Sequence, residues 1–182
     1  MQEVVIVTGL PRSGTSLLMS MLQAGGIPVH TDARRGPDLH NPKGYFEHSA
    51  VLELASDSSW LDQTGGRAVK ILTRQMEFVP PQVPARVLLL ERNLQEVADS
   101  QGRMLGETSP SQDWLELMAK ELRRFKGWLA RQPWPCLLVE HRRLLDAPLE
   151  MAAELQTFLN RPLDLEAMAA QVDASLYRSR SC

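Results

Sequence analysis

The chain has 182 residues, 43% of them hydrophobic and 23% charged, with a formal net charge of −2. This fits a single soluble globular domain over 1–182 with room for a sizeable core, and it argues against a broad nucleic-acid-binding face. Two cysteines, Cys136 and Cys182, make no disulfide framework and suit a reducing cytoplasmic setting. The first residues lead straight into a strand with no signal-peptide pattern, and no apolar run is long enough to span a membrane.

In chain order, the β-branched run at about 3–8 reads as a buried strand, and Gly9, Pro11 and Gly14 as a turn. A helix follows from Thr15 to Ala24, with Leu17, Leu18, Met21 and Leu22 on one face and Gly25–Gly26 as its stop. Residues 28–47, punctuated by three prolines and Gly36 and Gly44, read as a long irregular loop; loops of that length in compact domains are usually functional. A short helix is expected at 48–57. Ala68 to Leu72 reads as a second strand carrying Lys70, and residues 74–85 leave room only for a brief helix.

Arg86 to Glu91 is apolar on both faces and reads as a central strand. Asn93, with Glu96 three residues on, resembles a capping box that opens a helix at 94–105. A polar loop at 106–112 leads to a long helix at 112–131, a fourth strand at Leu137 to Glu140, and two helices, from Pro148 to Leu159 and over 164–172. Strands alternating with helices predict a parallel sheet flanked by helices.

The segment from Gly9 to Ser16 joins a strand to a helix start, a geometry whose N–H groups converge on an anion. Its glycines have the Walker A spacing, but Thr15 stands where the phosphate-reaching lysine belongs, which argues against ordinary triphosphate chemistry. Arg12 lies inside the loop, where a guanidinium could fork onto an oxyanion. Arg92 ends the central strand and Ser100 lies eight residues on, a potential second anion site at the carboxyl end of a strand. Lys70 on a buried strand is unusual, because its charge is costly to desolvate without a partner.

Together PRSGTSLL, the Arg92/Ser100 pair and Lys70 resemble the sulfotransferase family, which moves a sulfuryl group from 3′-phosphoadenosine 5′-phosphosulfate (PAPS) to a hydroxyl or amine. The resemblance covers about residues 3–178, and the segment 33–47 also looks like bacterial members. Cytosolic members have lysine at the position of Arg12; tyrosylprotein, carbohydrate and many bacterial members have arginine. The resemblance implies a P-loop-like three-layer α/β/α sandwich with a parallel sheet of four or five strands. It also implies that Pro11, Arg12, Ser13, Gly14, Thr15 and Ser16 hold the 5′-phosphosulfate, and that Arg92 and Ser100 hold the 3′-phosphate. Arg12 and Lys70 would then stabilise charge at the reacting centre. No metal is expected.

Two parts depart from the family pattern. His141 stands where the family has an adenine-holding tyrosine, with Arg142 and Arg143 in place of acidic neighbours, and could stack on adenine. Arg178, in the basic C-terminal segment, could close over the 3′-phosphate. The histidine base of cytosolic members is replaced by Leu72. Tyrosylprotein members use a glutamate about twenty residues after the loop arginine; Asp32 lies at that distance and is the first choice for a base, with His40, Glu47 and His48 as alternatives. The rival readings are a P-loop nucleotide kinase and a non-catalytic nucleotide-binding module. A small-molecule or biopolymer acceptor is expected, a membrane partner is not, and a homodimer could complete the acceptor pocket.

Overall fold

The computed structural model describes residues 2–32, 34, 36, 44–106 and 112–173. Four strands, β1 (Val4–Gly9), β2 (Ala68–Lys70), β3 (Ala85–Glu91) and β4 (Cys136–Glu140), form one all-parallel sheet in the order β2-β1-β3-β4. The two central strands are the two most apolar runs, and all six residues of β1 are buried. Such strands can be buried only if both sheet faces are covered.

Alternation along the strands divides the core into two layers. Val5, Val7, Leu88, Leu90 and Val139 face α1 (Thr15–Ala24) and two later helices. On the other face, Val4, Ile6, Val69, Val87 and Leu89 pack against α2 (Thr73–Met76) and a long helix that supplies Phe125 and Leu129. The remaining helices are α3 (Leu94–Leu105), α4 (Gln112–Leu129), α5 (His141–Asp146), α6 (Pro148–Leu159) and α7 (Leu165–Ala169). Thus α1, α6 and α7 cover one face and α2 and α4 the other, which is the expected three-layer α/β/α arrangement with four strands.

Local chemistry accounts for several boundaries. The Asn93 side chain accepts from the N–H groups of Gln95 and Glu96, so α3 starts where the cap signal lies. Pro148 occupies the first turn of α6, and Asn160 ends that helix in the left-handed conformation. Within the expected helix at 48–57 only a 3₁₀ turn forms, Ser49–Glu53, and a second 3₁₀ turn, Ser59–Gln63, follows beyond it. Asp57 explains the break: its carboxylate accepts from the Ser59 N–H and hydroxyl, competing with helical bonding. Strand β2 ends at Lys70, two residues short of Leu72, because Leu72 is extended and caps α2. Helix α5 was not expected; it begins directly where β4 ends.

Candidate functional site

The loop between β1 and α1 is a tight turn at the carboxyl ends of the central strands. A Cβ on Gly9 would lie 2.6 Å from Ser13 Oγ and 2.8 Å from the Leu90 carbonyl, so the chain closes there only with glycine. Gly14 has φ of 102°, and a Cβ on it would run into the His141 ring at Cδ2. Arg12 has φ of 67°, a left-handed conformation that costs a side-chain-bearing residue energy and clusters at functional sites. Ser13 is buried and donates its hydroxyl to the Leu10 carbonyl at 2.7 Å, fixing the turn from within. Gly14 gives α1 no side-chain cap, so the first N–H groups of the helix receive no bond from the capping residue's side chain.

Residues far apart in the chain meet around this loop. Arg12 Nε donates to Ser100 Oγ at 3.1 Å, and Arg92 Nη1 donates to the Arg12 carbonyl at 3.1 Å. Arg92 Nε is paired with Glu96 Oε2 at 3.0 Å, the Glu96 side chain buried and that of Arg92 largely so. Lys70 Nζ donates to the Tyr45 carbonyl at 2.5 Å and to Glu47 Oε1 at 3.1 Å, and lies 5.9 Å from the centre of the Tyr45 ring. Ser16 Oγ donates to the same Tyr45 carbonyl at 3.3 Å. Residues 44–48 are therefore drawn over the start of α1 and the end of β2, next to a buried lysine charge that has found its partners.

The base candidates separate by their surroundings. Asp32 Oδ2 accepts from the Ser49 N–H at 2.9 Å and Oδ1 from the Arg34 N–H at 3.1 Å. Hydrogen bonds from the Ser49 side chain and backbone, then from Arg34, hold its carboxyl well below the usual range. Asp32 thus ties the stem of the loop: its N–H and the Thr31 hydroxyl also reach the Glu47 carbonyl. His48 uses Nδ1 to accept from the Ala50 N–H and stacks on His30 with ring centres 4.3 Å apart, with Trp60 beyond. Glu47 carries its carboxylate to Lys70.

His141 is not an open stacking platform. It is 6% exposed, at the start of α5 and wedged beneath Gly14, so an adenine would find no free ring face there. Burial, then the nearby Arg92 charge, pushes its pKa down to about 4, with Glu96 acting the other way. Pro11 is exposed at the tip of the turn, and Thr15 is buried in the first turn of α1. Arg178 and His40 lie outside the described residues. Glu96 was not singled out from sequence as a site residue. Its capping-box spacing identified a helix start, while its distance of four residues from Arg92 was the available signal of a pair.

Among the described residues, no cluster of three or more His, Cys, Asp or Glu side chains is placed to hold a metal ion, and no helix is long and apolar enough to cross a membrane.

The four-stranded parallel sheet covered by helices on both faces has the fold of the solved sulfotransferase domains. The sulfotransferase domain of the olefin synthase of Synechococcus PCC 7002 superimposes with a TM-score of 0.58 at 15% identity, covering 98% of this chain and 81% of that one. The sulfotransferase domain from the curacin biosynthetic pathway gives 0.56 at 13% identity, covering 99% and 81%. Sulfotransferase STF1 from Mycobacterium tuberculosis H37Rv gives 0.54 at 17%, covering 99% and 74%. No family model and no curated protein matches the sequence.

Proposed function

We propose that this protein is a sulfotransferase that takes the sulfuryl group of PAPS and passes it to an acceptor hydroxyl or amine. The observation that carries this reading is the meeting of Arg12, Arg92 and Ser100, two of them hydrogen-bonded to the third from 80 and 88 positions away. A loop for one anion is generic. A second arginine and a serine beside it fit a ligand with two anionic ends, and PAPS has a 5′-phosphosulfate and a 3′-phosphate. The Walker lysine position is filled by the buried Thr15, which favours this donor over a nucleoside triphosphate.

In this reading the N–H groups of the loop and of the start of α1 receive the 5′-phosphosulfate, with Ser13 shaping the turn and Ser16 at its side. Arg92 and Ser100 receive the 3′-phosphate, and Arg178 is proposed to close over it. Arg12 and Lys70 stabilise the charge that grows on the transferred group and on the departing phosphate oxygen. The acceptor oxygen forms its bond to sulfur as the sulfur–phosphate oxygen bond breaks, and its proton goes to a carboxylate. We assign that carboxylate to Glu47 rather than Asp32. Glu47 lies 3.1 Å from Lys70, whereas both Asp32 oxygens are engaged in holding the loop stem, and a strongly acidic carboxyl is a weak base. His141 then acts as a support under Gly14, and adenine is held elsewhere.

Incubation with PAPS carrying radiolabelled sulfur and a panel of sugar, phenol, lipid and peptide acceptors tests the activity. The expected result is label transfer to at least one acceptor class. Glu47→Gln is expected to lower kcat about 100-fold or more with donor binding kept, whereas Asp32→Asn should act through loop stability. Donor binding without transfer to any acceptor would favour the non-catalytic reading.

A further inference from the structure

We propose that Glu96, acting through Arg92, braces the anion loop, so that the loop's shape depends on the residue assigned to the 3′-phosphate; the inference builds on the proposed donor site. Glu96 is 5% exposed and lies on α3, outside the loop. Its carboxylate takes Arg92 Nε at 3.0 Å, and the same guanidinium delivers Nη1 to the Arg12 carbonyl at 3.1 Å. That carbonyl is aimed by the left-handed backbone of Arg12, at φ of 67°. A non-glycine residue keeps such a conformation only when its surroundings over-determine it. The Arg12 side chain is held as well, by Ser100 on the same helix as Glu96.

The planar guanidinium makes this possible. Its fixed fork can span two acceptors at once, which a lysine ammonium on a flexible stem does poorly. Burial of the pair adds direction, because a buried charge without its partner is costly and the side chains must stay together. Glu96 is therefore a positioning residue: it sets Arg92, and Arg92 sets the loop. The 5′ and 3′ ends of the site are joined through one side chain rather than built side by side.

Amide hydrogen exchange on the protein without nucleotide reads the brace directly. Glu96→Gln keeps the side chain's size and removes its charge; Arg92→Lys keeps the cation and removes the fork. In both variants the amides of residues 13–18, which include Ser13 bonded to Leu10 and Leu18 bonded to Gly14, are expected to exchange about 10-fold faster, with β3 and α6 protected as before. Both variants should also bind adenosine 5′-phosphosulfate, which has no 3′-phosphate, about 10-fold more weakly than the unaltered protein, or about 1.4 kcal/mol. Loop exchange and affinity for that ligand unchanged in both variants would overturn the brace, as would acceleration spread evenly through β3 and α6. Failure of the unaltered protein to bind 3′-phosphorylated nucleotides counts against the donor reading alone, because the exchange comparison needs no ligand.

Discussion

Arg12 is held at its carbonyl by Arg92 and at its side chain by Ser100. Lys70 is the complementary case, a buried cation held by the Tyr45 carbonyl and Glu47. Lys70→Met is expected to reduce kcat about 100- to 1000-fold, the loss typical of one removed charge-stabilising donor, with a smaller change in donor KM; steady-state kinetics at varied PAPS checks the split. His141 offers a test that needs no substrate. Its pKa lies at about 4, below the ordinary 6.5, so the neutral ring favours folding fully above pH 6.5 and that contribution is lost as pH falls toward 4. The full contribution is roughly 3 kcal/mol. Urea midpoints taken between pH 7 and pH 4.5 should fall more steeply for the native protein than for His141→Asn, and parallel curves would contradict the assignment.

At the scale of elements, the site depends on the junction between β1 and α1. The fit of Gly14 over His141 and its φ of 102° predict that Gly14→Ala destabilises the protein by more than about 1 kcal/mol and weakens donor binding, as thermal unfolding and titration would show. Leu18, fully buried beneath the same junction, should cost about 2–5 kcal/mol as Leu18→Ala. This junction was legible from sequence because its signals are local: a β-branched run, paired glycines, then an amphipathic stretch. The Asn93 cap was legible for the same reason. Helix α5 was not, since HRRLLD is one and a half turns long, has no side-chain cap and follows a strand with no intervening turn residue. The helix expected at 48–57 gave way to one 3₁₀ turn at Ser49–Glu53 because polar side chains there, His48 and Asp57, bond to nearby backbone N–H groups. The packing of His141 depends on a contact across 127 positions with Gly14, which no local pattern encodes.

At the scale of the whole molecule, a four-stranded parallel sheet sandwiched between helices brings residues 12, 70, 92 and 100 to one end of its strands. Arg12 and Lys70 were placed there by sequence order alone, since both follow or end strands that pair in register, with Val7 opposite Lys70. Spacing from Arg12 favours Asp32, whereas the surroundings that distinguish it from Glu47, the Ser49 and Arg34 N–H groups on one and Lys70 on the other, come from folded contacts that spacing does not encode. The global fold matches solved sulfotransferase domains along nearly the whole chain, while identities of 13–17% leave the chemistry to the site itself. The proposed function requires this site to clasp a nucleotide at two anionic ends without needing a triphosphate. Isothermal titration of the protein with 3′-phosphoadenosine 5′-phosphate, alongside ADP with magnesium, tests it most directly. Micromolar binding of the first, weaker binding of the second, and loss of the first in Arg92→Ala are expected; a preference for ADP with magnesium, or undiminished binding in Arg92→Ala, would rule out a two-anion clasp.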